Sequence, residues 1–357
     1  MPIDRSRLRT PLLLAVALAV VTAAAIVTYV VWPRGSELER AAALLPKDTL
    51  RVTWTDWAGL REELDATDVD DTGAEAEAFL AEANDRDLSS ASPTAGTSAA
   101  IAAGFGFSPL TSEWELLGQG RDGMVLILKL ADDADFGKIA DGFDDVGFAR
   151  PDEDALSGEV WTGGPDVITN VPDLGDPLLQ NVAFLEEEHL LVTSDNADYL
   201  AEAMPVVEGE EDGLELGELV DPLEDPLAAV VFASDFACED LSMGEADEGA
   251  QALAEQLVDD AGGVSPLTGY VAALQPDDRM TLVFDFETEK QAEKNARSRR
   301  ALAEVDDPGQ LVSYPELFSV EDSEADGHRV VLRLEDVVDD GYALTNTTQG
   351  PVLLAAC

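Results

Sequence analysis

Hydrophobic and polar positions alternate with a period of two through Met280, Leu282, Phe284 and Phe286, interleaved with Thr281, Val283 and Asp285. That alternation predicts a strand with one helix-covered face. An upstream stretch, with Met124, Leu126 and Leu128 in corresponding places, repeats it. The match extends on the N-terminal side, where "GFSPLTSEWELLGQGRDGMVLILKL" from Gly106 is echoed by "GVSPLTGYVAALQPDDRMTLVFDF" from Gly263. Each stretch predicts a hairpin whose turn carries the Gly, Pro and Asp residues that reverse a chain.

Three more matches run collinear with this one. "DTLRVTWTDW" from Asp48 corresponds to "DPLAAVVFASDF" from Asp225, aligning Asp56 with Asp235, and "GFARPDEDALSGEVW" from Gly147 corresponds to "LFSVEDSEADGHRVV" from Leu317. Ser108 also aligns with Ser265. In both copies a strand (Leu50–Thr55, Ala228–Ser234) precedes helical stretches, the hairpin, a second helix and a strand near Val160 or Val330. The order β-α-β-β-α-β predicts an α+β fold of two tandem split-βαβ, ferredoxin-like units, residues 48–207 and 226–357. The acidic, glycine-bearing stretch 208–225 between them reads as a linker partly ordered against the domains. The C-terminal "YALTNTTQGPVLLAAC" reads as a hairpin like the one that ends the first copy.

Ahead of the repeats, the apolar run from Pro11 to Trp32 is long enough to cross a bilayer, since a helix of that length rises about 33 Å. Tyr29 and Trp32 suit the outer interface. Arg5, Arg7 and Arg9 in the short leading segment, residues 1–10, hold that end in the cytoplasm and send the bulk of the chain outside. A cleaved signal peptide ending near "TAAA" (Thr22–Ala25) competes with this reading, but the apolar run continues beyond Ala25, which favours an uncleaved signal anchor over 11–32. Residues 33–47 form a juxtamembrane segment with a short helix, capped by Ser36 and Glu39 and ended by Pro46.

Charge narrows the partners. The chain has 74 acidic and 21 basic residues, a net charge of −53. Nucleic acid is excluded, because binding a phosphate backbone needs a basic stripe. Beyond the membrane itself, an envelope protein partner or cations are the ligands that this field favours.

Catalytic signatures are weak. Asp68, Asp70, Thr72 and Gly73 fit the opening of a calcium loop, yet Phe79 stands where a bidentate glutamate belongs. Thr72 and Glu75 read instead as a capping box. His189 and His328 lack metal-ligand spacing and read as solvent-facing residues at strand ends. Ser108 and Ser265 precede prolines and read as turn residues rather than nucleophiles. Arg297, Arg299 and Arg300 form a local basic patch on a helix, read as a salt-bridged face with docking of acidic groups as the alternative. No cofactor is expected.

Cys238 and Cys357, the only cysteines, are expected to form a disulfide outside the cytoplasm, with the second following a final strand of "PVLLAA". These features point to a membrane-anchored extracytoplasmic binding or scaffolding protein of the envelope, not an enzyme. The alternative is an exported hydrolase working through carboxylates.

Overall fold

The computed structural model describes residues 36–151, 158–175 and 177–357, and its compact body spans Glu37–Cys357. The apolar run, Arg5, Arg7, Arg9 and Trp32 lie outside the described residues. Among the described residues no helix is long and apolar enough to cross a membrane.

The body is a mixed α+β structure around one eleven-stranded antiparallel sheet. Its first half contains α1 (Glu37–Ala42), β1 (Arg51–Thr55), α2 (Trp57–Glu63), α3 (Ala74–Asp85), α4 (Ser98–Phe105), β2 (Trp114–Gln119), β3 (Met124–Lys129) and α5 (Phe136–Val146). It continues with β4 (Trp161–Thr162), α6 (Pro165–Ile168), β5 (Asn181–Leu185), β6 (Leu190–Ser194) and α7 (Ala197–Val207). The second half contains β7 (Ala228–Ala233), α8 (Phe236–Asp240), α9 (Glu248–Asp260), β8 (Gly269–Gln275), β9 (Arg279–Asp285) and α10 (Glu289–Leu302). A small ribbon follows, β10 (Asp306–Asp307) and β11 (Val312–Ser313), then α11 (Tyr314–Leu317), β12 (Ser319–Asp326), β13 (Arg329–Glu335) and α12 (Ala343–Thr348).

Strand order in the large sheet is β12-β13-β9-β8-β7-β1-β2-β3-β6-β5-β4, with antiparallel pairing at each step. This corrects the ferredoxin-like expectation, because a βαβ unit places parallel strands on either side of its crossover helix. Here Thr55 at the end of β1 pairs with Glu115 at the start of β2, so helices α2–α4 leave and return at the same end of the sheet. The path over α8 and α9 does likewise, bringing Ala233 opposite Gly269.

The two halves meet at β1 and β7, where Thr53 faces Val230 at the centre of a five-pair ladder. Counting outward from that pair, Leu117 and Ala272 come next, then Leu126 and Leu282. Leu126 and Leu282, matched in sequence, therefore lie equally far from the central ladder, while in the strand before them the register is offset by one residue from the sequence match. The match near Val160 does not: Trp161 pairs with Val182 at the far edge, whereas Val331 pairs with Val283 inside the second half. Asp56 and Asp235 both sit at the N-cap of the helix after the first strand, but only Asp56 accepts a backbone hydrogen bond with its side chain.

Period-two alternation sorts the strands' side chains onto two covered faces. On one face, Val230, Leu282 and Val330 pack with Trp57, Phe79 and Leu302. Leu126 and Phe184 on the same face pack with Phe105 and Phe143. Gly142 permits this packing, because a Cβ there would lie 2.8 Å from the Phe105 carbonyl oxygen. On the opposite face Val52, Trp54, Ile127 and Val231 pack under α1, α7 and the chain from Leu214 to Leu223. The stretch expected as a linker is thus a cover for the sheet. Leu214, Leu216, Val220 and Leu223 are buried in it, while its acidic residues face outward. The helix expected as juxtamembrane belongs to the body as well, with Leu38, Ala41 and Leu45 buried.

Candidate functional site

At one end of the sheet, five strands and the covering segment enclose a cleft of about 710 Å3. Leu50 before β1, Arg121 and Asp122 in the β2–β3 turn, and Ser234 after β7 form one side. Thr268, Asp285 and His328, at the ends of β8, β9 and β13, form the other, with the chain from Leu214 to Leu219 as a roof. The covering segment is fastened at two places: the Leu214 amide donates to the Leu45 carbonyl at 2.8 Å, and beyond the roof Gln275 Nε2 donates to the Glu224 carbonyl at 2.7 Å. The Arg329 guanidinium donates to the carbonyl of Glu218.

His328 is the centre of the site's polar network. Gly327 at φ +58° makes the turn that delivers it beside β9. Its Nδ1 lies 2.5 Å from Asp285 Oδ1 and its Nε2 lies 3.2 Å from Glu218 Oε2. The second Asp285 oxygen accepts from the Thr268 hydroxyl at 2.6 Å. A carboxylate oxygen thus stands within hydrogen-bond reach of each ring nitrogen. The network clasps the roof to the sheet. The sequence gives no spacing signal for it, because the three groups lie on separate segments.

The chain order Ser234, Asp285, His328 invites comparison with a hydrolytic triad. Ser234 does have a left-handed backbone, φ +57°, between a strand and a helix. It is separated from His328 by three inter-strand steps, about 14 Å of backbone at the usual spacing. The imidazole's second nitrogen already faces Glu218. The triad is not assembled.

The cleft carries Asp48, Asp122, Glu215, Glu218 and Asp285 against Lys47 and Arg121. It thus suits a cationic group. Among the described residues no group of three His, Cys, Asp or Glu side chains is placed to hold a metal ion.

The other residues singled out by sequence take structural places. Gly73, not Thr72, caps α3, without a side-chain hydrogen bond, and Phe79 is buried on that helix. The Ser108 hydroxyl accepts from the Leu110 amide, and the Ser265 hydroxyl accepts from Asn295 at 2.9 Å. His189 sits in the β5–β6 turn with Nδ1 3.3 Å from the Ala131 carbonyl. Arg299 is fully buried rather than part of a surface patch. Helical spacing puts it on the same face as Ala292, Asn295 and Leu302, which turns it inward.

The Cys238–Cys357 disulfide is present, with Cα atoms 5.7 Å apart. The segment leading to Cys357 is a 3-10 turn, Leu353–Ala355, preceded by α12; the expected final hairpin and strand are absent there.

Buried carboxylates complete the polar inventory. Glu115 Oε2 accepts from Trp57 Nε1 and the Ser92 and Thr94 hydroxyls at 2.8–3.0 Å, while Oε1 has no partner. Burial pushes its pKa up despite those bonds. Asp56 is pushed up to about 6, chiefly by burial and further by Glu37 and Glu113, against the Gly59 amide and Arg61.

No protein-family model and no curated protein matches the chain. Among solved structures, the chain is similar to crystal form I of TP0453, at a TM-score of 0.39 and 8% identity, over 88% of this chain and 97% of that one. A likeness that distant carries nothing about site or activity.

Proposed function

We propose that this chain is a single-pass, signal-anchored module of the cell envelope whose bulk lies outside the cytoplasm and binds or scaffolds a cationic protein partner. The body is a tandem duplication of one α+β unit, a reading supported by the register of Leu126 and Leu282 about the Thr53–Val230 pair. Orientation rests on Arg5, Arg7 and Arg9 ahead of the Pro11–Trp32 run. The single observation that carries binding over catalysis is the strand-end cleft, where His328 is committed to Asp285 and Glu218.

Two measurements test this on the full chain in its native envelope. Protease added to intact spheroplasts should digest everything beyond about Trp32, and complete protection overturns the orientation. A photo-crosslinking side chain at Ser234 should give an adduct of discrete mass, and its absence overturns the cleft as the binding site.

A second reading, an exported hydrolase working through carboxylates, draws on the acidic lining of the same cleft. It requires hydrolysis of an ester or amide that disappears in Asp285→Asn or Glu218→Gln.

A further inference from the structure

Leu311 combines two features that rarely coincide. It is 87% exposed, and its backbone has φ +60°. A γ-branched side chain in the left-handed region costs energy that glycine avoids, and at this exposure no burial offsets that cost.

The strain is held in place by a turn fixed on several sides. Asp307 Oδ1 accepts from the amides of Gly309 and Gln310 at 2.7 and 3.2 Å, and Oδ2 accepts from the Leu353 amide and the Tyr314 hydroxyl. Gln310 Nε2 donates to the carbonyls of Gln349 and Pro351. The Leu311 amide itself donates to the Asp307 carbonyl at 2.9 Å. The loop backbone that carries the leucine is therefore fixed.

Opposite it, on α9, stands Leu253, 46% exposed. These are two of the four large apolar side chains exposed among the described residues, and both line one groove of about 630 Å3. Scattered exposed leucines are ordinary; convergence on a single groove is not. Asp247, Asp306 and Glu316 rim the groove, and no lysine or arginine lines it.

We propose that this groove docks a partner segment bearing a large apolar side chain flanked by lysine or arginine. The apolar side chains of Leu253 and Leu311, both lining the groove, supply the anchor, and the acidic rim selects the flanks. A rigid loop lowers the ordering cost on binding. A second copy of the chain is disfavoured as occupant, since at net −53 two copies repel and an acidic rim would meet an acidic surface. The proposal rests on the binding-module reading but uses a surface distinct from the strand-end cleft.

The test is anisotropy of a fluorescein-labelled amphipathic leucine–lysine peptide, with its leucine–glutamate counterpart as control. The full chain is held in zwitterionic nanodiscs, with empty discs as blank. Saturable binding of the lysine peptide alone is expected, weakened at least tenfold by Leu311→Ser or Leu253→Ser and unchanged by Val338→Ser, which alters an exposed residue outside the groove. Asp306→Asn with Glu316→Gln should flatten the salt dependence. Leu311→Gly is the sharpest arm: the melting temperature should rise as the strain is relieved, while affinity falls as in the serine variant. Unchanged affinity in Leu311→Gly overturns the groove. If affinity is lost instead in Glu218→Ala, the peptide occupies the cleft; the groove proposal then falls while the binding-module reading stands. No saturable binding to the wild type overturns both.

Discussion

Arg299 Nη2 donates to the carbonyl of Ala356 at 2.7 Å, one residue before the disulfide-bonded Cys357. The same guanidinium donates to Leu354 and Ser265 carbonyls at 2.6 and 3.2 Å and lies 5.2 Å from the Phe284 ring centre. A helix, a turn and the chain's last residues are thereby joined at one buried cation. Burial presses its pKa downward, and the three carbonyls supply the compensation that a carboxylate usually provides.

Replacing that cation exposes what it satisfies. Arg299→Ala should lower stability by about 3–5 kcal/mol, because three buried carbonyls lose their donor. Arg299→Lys should recover only part, lacking the planar fork that reaches all three. Urea unfolding read by far-UV circular dichroism checks both. A loss below about 1 kcal/mol in the alanine variant would show that water replaces the side chain.

The disulfide makes a covalent prediction. It links positions 119 residues apart, and in the chain-entropy model a loop of that size contributes about 4–5 kcal/mol. Reduction, or Cys238→Ser with Cys357→Ser, should lower stability by up to that amount and speed amide exchange over the last residues. Thiol counting on denatured protein purified from its native source without reductant should find none; two free thiols refute the bond.

Asp56 sets a pH dependence with a definite sign. Its folded pKa, about 6, lies above the unfolded value, so its contribution to stability is full below the unfolded pKa and is lost as pH rises through about 6. Above that range the ionised carboxylate costs at most about 2–3 kcal/mol. Asp56→Asn keeps an acceptor for the Gly59 amide and should be more stable than wild type at pH 8, with the advantage shrinking by pH 4.5. A difference independent of pH excludes Asp56 as its source.

Burial raises the pKa of Glu115, so an uncharged isostere should serve in its place. Glu115→Gln preserves an acceptor for Trp57, Ser92 and Thr94 and should change stability by less than about 1 kcal/mol. Glu115→Ala strands those donors beside a cavity and should cost about 3 kcal/mol or more. Equal losses in the two variants would mean that the charge itself is needed.

The strands were legible because their signal is local: the alternation around Met280 and Met124 marks two hairpins that the sheet contains. Their partners were not, since the choice between a crossover and a return over α2–α4 is made by the packing of Trp57, Phe79 and Leu110, distant in sequence. The covering segment was misread for a related reason. Leucines at 214, 216 and 223 are diluted by acidic neighbours, and only the exposed sheet face under them gives their spacing meaning. Cys238 and Cys357 were legible by elimination, although the strand invoked to bring them together is a turn. The His328 network was invisible, because Asp285, Glu218 and Thr268 meet only after the sheet has formed.

The ladder around Thr53 and Val230 has a consequence for how the halves could exist apart. Severed from one another, each would carry a bare inner edge, and bare edges recruit strands from other chains. The ladder stands where a two-fold homodimer of half-length chains would place its interface. Encoding both halves in one polypeptide fixes their effective concentration, so this contact persists at any dilution. The central pairing is thereby kept without relying on the encounter of two separate molecules.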